Sequence, residues 1–356
     1  MLYHTLRERG HEVLMVSFRR QYPQWLFPGK SDKDPGENPL QLESAKYWID
    51  SLNPWTWLKT FLNMRSYDPE VIVLQWWVPF WAPIWYFLAL LNSLFLRSPL
   101  LFICHNVLPH ETRIWDRWLA FLVLQWGKRF IVSSTSERKR LRSLLPHAEI
   151  SAIPLPPFDL FSVYRVSKSL ARERLRLPLE KPIILFFGII REYKGLMDLL
   201  AAMPIIRQRL EEVWLLIVGE FWDDKAPYMA AIEQWGLDSH TVVTDRYVTN
   251  EEAALYFSAA DVLVAPYRSV TGSAVVKTAS AFGIPVITTF DFGDRVEDGS
   301  VTLVEPENVD MLANSVVRYF QNSTQILHQA AGAKDQVSSS WSKTVDKIRE
   351  VGLKDA

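Results

Sequence analysis

The sequence predicts an α/β protein built from two Rossmann-like, doubly wound domains, and three observations predict it. The chain has 356 residues, which at roughly 150 residues per domain suits two globular units. Short apolar runs of the kind that fill buried parallel strands recur in two series, with segments of helical spacing between them. A proline-rich break, Pro154-Leu155-Pro156-Pro157, separates the series, because proline continues neither a helix nor a central strand.

The first series opens late. Leu2, Tyr3 and Leu6 have helical spacing within Met1–Arg9, and Gly10 stands where that helix would stop. A doubly wound domain ordinarily begins with a strand and a turn ahead of its first helix, so the first strand of the N-terminal domain is expected to be missing. Strands are then expected at Val13–Phe18, Val71–Leu74, Leu100–Cys104, Phe130–Ser133 and Ile150–Ile153. After a linker around 154–180, which includes the charged stretch Arg172–Arg176, the second series runs through Ile183–Gly188, Trp214–Gly219, Thr241–Thr244, Val262–Pro266, Pro285–Thr288 and Val301–Val304. Helices are expected at Leu196–Leu210 and Glu251–Ala260, and from about Met311 to Lys354. The domains are accordingly expected at 1–160 and 161–335, with a terminal helical segment at 336–356.

Composition excludes several classes. Hydrophobic residues make up 49% and charged residues 22%, and Lys+Arg 39 against Asp+Glu 40 leaves a net charge of -1. Intrinsic disorder and nucleic-acid binding are therefore not expected. The single cysteine, Cys104, rules out an intramolecular disulfide and any multi-cysteine metal site, and it suits a reducing compartment. Arg7, Glu8 and Arg9 interrupt the apolar start that a signal peptide would need, so the expected location is cytoplasmic.

The 15 tryptophans are unusual. Val71–Leu96 carries no charge and is long enough to span a bilayer of about 20 helical residues, but Pro79 and Pro83 interrupt it. Two readings stay open: a buried strand, loop and packed helix, or an indole-rich surface of Trp76, Trp77, Trp81 and Trp85 at a membrane interface. In the second reading the basic cluster Arg138, Lys139, Arg140 and Arg142 adds cations against anionic headgroups, placing the protein peripherally at the inner face of the membrane.

Two segments suit phosphate. Phe186-Phe187-Gly188-Ile189-Ile190-Arg191-Glu192-Tyr193-Lys194-Gly195 runs from a strand through a basic turn into a helix, where unpaired N–H groups and cations favour anions. After Val262–Pro266, the segment Thr271-Gly272-Ser273-Ala274 leads into a second helix whose amides could cap a diphosphate. An ordinary solvated turn and an ordinary Ser/Thr helix cap are the plainer alternatives. Asp32-Lys33-Asp34 resembles a metal-binding Asp-x-Asp, yet no strand leads into it, and His105 and His110 lack zinc-pair spacing. No metal is expected.

These residues together resemble a family, the retaining group 1 (GT4-like) glycosyltransferases of the GT-B fold. The resemblance rests on Phe187-Gly188, Arg191, Lys194-Gly195, Ala259-Ala260-Asp261-Val262, Pro266, Gly283-Ile284-Pro285-Val286, Cys104-His105-Asn106 and Ser340-Trp341. It implies two Rossmann-like domains facing across a cleft, the terminal helix packing back on the N-terminal domain, and metal-independent transfer of a hexosyl group with retention. The donor would be a nucleotide-diphosphate sugar and no other cofactor is implied; the acceptor would be a glycan or lipid-linked glycan. It further implies that Arg191 and Lys194 act on the donor diphosphate and that His105 is the active-site histidine. Donor contacts are then expected from Gly188, Arg191, Lys194, Thr271, Gly272, Ser273, Ala274 and Thr278, and acceptor contacts from Asn106, His110 and Glu111.

The sequence departs from the family at two places. The family's Glu-x7-Glu carboxylates fall on Val270 and Thr278 here, and the first strand with its Gly-rich loop is expected to be missing. From those departures a second reading stays open, a non-catalytic relative that binds sugar or membrane as the partner of an active transferase.

Overall fold

Alternation along each strand sends every second side chain to the opposite face of a sheet, and this sorts the apolar residues of both units. The structure, a computed structural model, describes residues 2–23, 25, 44–109, 114–153, 161–269, 273–289, 301–322 and 345–350. Asp32, Asp34, Pro154–Pro157, Ser340 and Trp341 lie outside the described residues. The chain divides into two units, the first containing residues 2–23, 25, 44–109, 114–153 and 345–350, the second the rest.

In the first unit, helix α1 (Leu2–Glu8) ends at Gly10, whose φ of +83° an L side chain rarely adopts. Strand β1 (Val16–Arg20) pairs in parallel with β2 (Lys46–Asp50) as a separate two-stranded sheet. The sequence reading missed β2 because its alternation is framed by Lys46 and Asp50. Helix α2 (Pro54–Tyr67) follows, with the Asn53 side chain accepting from the Trp55 N–H at 3.1 Å and proline at its first turn. A four-stranded parallel sheet then runs in the order β3-β4-β5-β6, with β3 Ile72–Trp76, β4 Leu100–Cys104, β5 Arg129–Val132 and β6 Glu149–Ala152. Between these strands lie α3 (Ala82–Leu91), α4 (Ile114–Leu124) and α5 (Thr135–Leu144).

One face of this sheet, including Leu74, Trp76, Phe102, Phe130 and Val132, packs under α3 and α4. The other, Leu101, Ile103 and Ile131, meets Leu2 of α1 and Ile348 of the short helix at 345–350. The tryptophan-rich segment is largely core. Trp76, Trp81 and Trp85 are buried, which corrects their reading as a membrane surface: the continuous helical run Pro79–Leu96 lies on the sheet, with Ile84, Trp85 and Leu88 turned into it. Trp77 alone of the four is exposed, and Arg138, Lys139, Arg140 and Arg142 are exposed on α5.

In the second unit a short turn at Ser162–Tyr164 and α6 (Lys168–Arg174) occupy the stretch expected as a linker reaching to residue 180. Arg172 is 3% exposed, donating to the Ala259 carbonyl at 3.0 Å and to Asp261 at 2.8 Å. Asp261 also accepts from the Ile183 N–H at 2.7 Å. Arg172 is thus a buried, paired anchor for the first strand of this unit, while Glu173, Arg174 and Arg176 of the same stretch are exposed.

The sheet of this unit contains β7 (Ile183–Phe187), β8 (Trp214–Val218), β9 (Thr241–Thr244), β10 (Val262–Ala265), β11 (Val286–Thr288) and β12 (Val301–Leu303). Its order is β12-β11-β10-β7-β8-β9, all parallel. That is a doubly wound sheet whose order reverses between β7 and β10. Ile184, Phe186, Leu215 and Ile217 pack with α7 (Leu196–Arg207), α8 (Ala226–Gln234) and α11 (Val309–Gln321) on one face. Ile183, Leu185, Leu216 and Val218 pack on the other with α6, α9 (Asn250–Ala259) and α10 (Ala274–Phe282). A capping box between Thr249 and Glu252 starts α9, and Gly283 at φ +68° ends α10.

Candidate functional site

Open α/β sheets bind ligands beyond the carboxyl ends of their strands where the order reverses. In the second unit that point lies between the turns after β7 and β10, the two segments singled out for phosphate. Gly188 has φ +111°, and its N–H donates to the Val218 carbonyl at 2.9 Å. After the short turn Glu192–Lys194 comes Gly195, at φ +71°, where a Cβ would fall 1.9 Å from the Pro266 carbonyl oxygen. Only glycine lets the two turns approach this closely.

Further contacts lock them. The Arg268 N–H donates to the Tyr193 carbonyl at 2.8 Å. Its guanidinium grips both oxygens of Asp198, at 3.0 and 2.7 Å, and reaches Glu192 at 3.3 Å. Arg268 is therefore neutralised within the fold. Arg191 has Asp223 3.8 Å away.

Lys194 is different. Its ammonium lies 4.2 Å from the Tyr267 ring centroid and 5.3 Å from that of Tyr193. Burial works against its charge, but the hydroxyls of Tyr267 and Tyr193 outweigh burial and hold its pKa above the ordinary lysine value. It stays cationic, and among the described residues no carboxylate is paired with it. Beside it, the Ser273 side chain caps α10 by accepting from the Val276 N–H at 3.3 Å, leaving the amides of the helix's first turn as a positive dipole end.

Thr278, expected at the donor, is instead 2% exposed, with its hydroxyl donated to the Ala274 carbonyl of its own helix at 2.9 Å. That side chain offers a ligand no surface. Thr271 and Gly272 lie outside the described residues, as do His110 and Glu111.

In the first unit, His105 follows β4 directly. Its N–H donates to the Trp76 carbonyl at 2.9 Å, its Nε2 lies 2.6 Å from Gln75 Oε1, and its ring stacks on Trp77 with centroids 4.2 Å apart. Burial pushes its pKa down to about 4, so the imidazole is neutral near pH 7. The loop beyond it is stapled twice. The Val107 N–H donates to the fully buried Glu137, and the Trp76 indole N–H donates to the Val107 carbonyl at 3.2 Å. Asn106, on this loop, is partly buried.

Sequence reasoning missed Tyr193, Tyr267, Asp198 and Gln75. Tyr193 and Tyr267 lie in the turns after β7 and β10 and Asp198 in the first turn of α7, and only the reversed strand order brings Tyr267 to Lys194. Gln75, one residue before the last of β3, could have been noticed as a polar residue in an apolar strand.

The comparisons with known proteins agree with this architecture. Residues 1–156 match the model described as Glycosyltransferase Family 4, and residues 181–322 match that described as Glycosyl transferases group 1. The chain belongs to this family of glycosyltransferases. It is 27% identical over 226 residues to the GDP-mannose-dependent alpha-(1-6)-phosphatidylinositol monomannoside mannosyltransferase of Mycobacterium tuberculosis, covering 59% of this chain and 57% of that one. It is 26% identical over 222 residues to the GDP-mannose:glycolipid 4-beta-D-mannosyltransferase of Xanthomonas campestris, with the same shares. The matched stretch thus spans less than two thirds of either relative. Among solved structures, sucrose-phosphate synthase from Thermosynechococcus elongatus superposes with a TM-score of 0.69 at 20% identity, over 99% of this chain and 89% of that one. Anabaena Alr3699/HepE in complex with UDP and glucose gives 0.68 at 18% identity, over 86% and 82%. These likenesses show the GT-B fold.

Proposed function

We propose that the chain transfers a hexosyl group from a nucleoside-diphosphate sugar to a lipid-linked glycan acceptor, with retention of configuration and without a metal. The observation that carries this reading is Lys194, a cation held at a helix amino terminus by two phenols and paired with no carboxylate among the described residues. A diphosphate is the counter-charge such a site lacks. As the glycosidic bond to the leaving diphosphate breaks, Lys194, Arg191 and the first-turn amides of α10 would stabilise the developing charge. They act where a metal ion otherwise would. Retention follows in this reading from a short-lived oxocarbenium-like species attacked by the acceptor hydroxyl on the face the diphosphate leaves, the departing diphosphate oxygen taking the hydroxyl's proton. Neutral His105 would hydrogen-bond the sugar and not serve as a charged acid.

The relatives named for GDP-mannose and the neighbour holding UDP support the donor class, and those named for phosphatidylinositol monomannoside and glycolipid support a lipid-linked acceptor. We place the reaction at the cytoplasmic face of a membrane. The apolar surface suited to that face is α4: Ile114, Trp115, Trp118 and Phe121 are 89%, 71%, 61% and 43% exposed on one stripe of the helix.

Calorimetric titration of the full chain with GDP, GDP-mannose, UDP and UDP-glucose tests the donor site. One nucleotide should bind, and Lys194→Ala should weaken it about 30-fold, the loss expected for a hydrogen bond to a charged group. Equal binding by Lys194→Ala would remove Lys194 from the donor site. Binding by neither nucleotide would favour the non-catalytic partner reading, which the missing carboxylates at Val270 and Thr278 support.

A further inference from the structure

We infer that Tyr267 is a positioning residue that couples the two phosphate turns, holding Lys194 with its ring and the cap of α10 with its hydroxyl. The inference rests on the donor reading above and adds the residue through which that site is assembled.

Tyr267 comes two residues after β10 and is 1% exposed. Its backbone is pinned on both sides: its N–H donates to the Ala265 carbonyl at 2.9 Å, and its own carbonyl accepts the Thr289 hydroxyl. The side chain therefore projects from a fixed point. Its ring lies 4.2 Å from the Lys194 ammonium, while its hydroxyl is 3.1 Å from the Ser273 hydroxyl, the group that caps α10. One rigid side chain thus touches the cation from the turn after β7 and the helix terminus after β10.

A free lysine side chain has four rotatable bonds and gives up their entropy whenever it engages an anion. Here the fold has already fixed it, between two phenols. Preorganised charge of this kind is what stabilises a leaving diphosphate without reorganisation during the reaction. Arg268 cannot substitute, because Asp198 and Glu192 neutralise it. The tyrosine is suited in both parts: phenylalanine would keep the cation–π platform and lose the hydroxyl that serves both Lys194 and Ser273, and leucine would lose ring and hydroxyl alike.

A double-mutant cycle on the full chain, read as the dissociation constant for GDP and for UDP, tests this. Tyr267→Leu should weaken diphosphate binding about 10-fold and Tyr267→Phe about 3-fold, of the order expected for cation–π and single hydrogen-bond losses. Lys194→Met should weaken it about 30-fold. The decisive variant is Lys194→Met/Tyr267→Leu. If Tyr267 acts through Lys194, the double variant loses less than the product of the two single losses, the remainder being its hold on the α10 cap. A merely structural tyrosine would lower the melting temperature and either leave the dissociation constant unchanged or add its full effect to the double variant; either result overturns the inference. Should Tyr267→Leu fail to fold, Tyr267→Phe, which keeps the ring's volume, carries the same cycle with Lys194→Met. Wild-type protein that binds neither diphosphate would end the donor reading itself. Wild-type protein that binds, with Lys194→Met weakening it and neither tyrosine variant doing so, would end only this inference.

Discussion

The turns of the second unit and the histidine loop of the first solve opposite problems. Beside α10 the fold holds a cation against burial, with phenols supplying what solvent no longer does. After β4 it does the reverse, pressing His105 against Trp77 and under Gln75 until the imidazole gives up its proton above about pH 4. One site is built for charge and the other to be free of it. The contrast teaches that the two ends suit different chemistry, and under the proposed function an anion would meet the first and neutral hydroxyls the second.

The largest effect that would break this comparison is at Gly195. Its Cβ would sit 1.9 Å from the Pro266 carbonyl and at positive φ, so Gly195→Ala should cost about 3 kcal/mol of stability. Gly10 is the control from the other unit. It has φ +83° but nothing within 4 Å of a built Cβ, so Gly10→Ala should cost only about 1 kcal/mol. Urea unfolding of both variants measures the difference. Equal losses would mean that the close approach of the two turns does not hold the second unit together.

That pair also marks what the sequence made legible. The strand runs of the second unit were readable because strands buried on both faces are continuously apolar, and Gly188, Arg191, Lys194 and Ser273 were readable because they sit at strand ends and helix starts. What makes them a site was not. The Lys194–Tyr267 and Arg268–Asp198 contacts join segments on either side of a strand-order reversal, and no local pattern encodes that pairing. Arg172 misled for a related reason: a charge run reads as solvated until its distant partner Asp261 is known. The tryptophans failed differently, since composition counts indoles but not which face of a sheet they enter. The Trp76, Trp81 and Trp85 rings went inward, and indoles outside that run, Trp115 and Trp118 among them, are exposed.

A middle-sized effect sharpens the first-unit half of the comparison. Gln75→Glu would put a carboxylate where the amide oxygen now lies 2.6 Å from Nε2, and an adjacent anion favours the protonated ring. The His105 pKa should rise from about 4 to above 6, followed by its ring NMR signals against pH. If transfer needs the neutral imidazole, the acid limb of the rate profile should move up with it. A rate profile that stays put while the NMR pKa moves would remove His105 from the reaction. Stability carries the same sign in the wild type. The unfolded imidazole takes up a proton near pH 6.5 and the folded one refuses it until about 4, so this contribution is intact above pH 6.5 and is lost as pH falls toward 4. His105→Gln should flatten that part of the stability curve.

The smallest effect on the fold is expected on α4, and it separates surface from core within the first unit. Trp115 and Trp118 are 71% and 61% exposed, whereas Trp81 and Trp85 are buried. Replacing the exposed pair with serine should change stability by no more than about 0.5 kcal/mol, as at other surface positions. Trp85→Ser should cost about 3 kcal/mol or more through lost packing. Indoles favour the depth of lipid headgroups, and the exposed cations Arg138, Lys139 and Arg142 on α5 add attraction to an anionic surface of about 1 kcal/mol each when near it. The wild-type chain should therefore float with phosphatidylglycerol vesicles at low salt, and Trp115→Ser/Trp118→Ser should leave it at the bottom of the gradient with its melting temperature unchanged. Flotation that survives this double substitution would move the membrane surface off α4. A wild type that never floats would leave the stripe as solvent-exposed apolar surface and weaken the case for a lipid-linked acceptor.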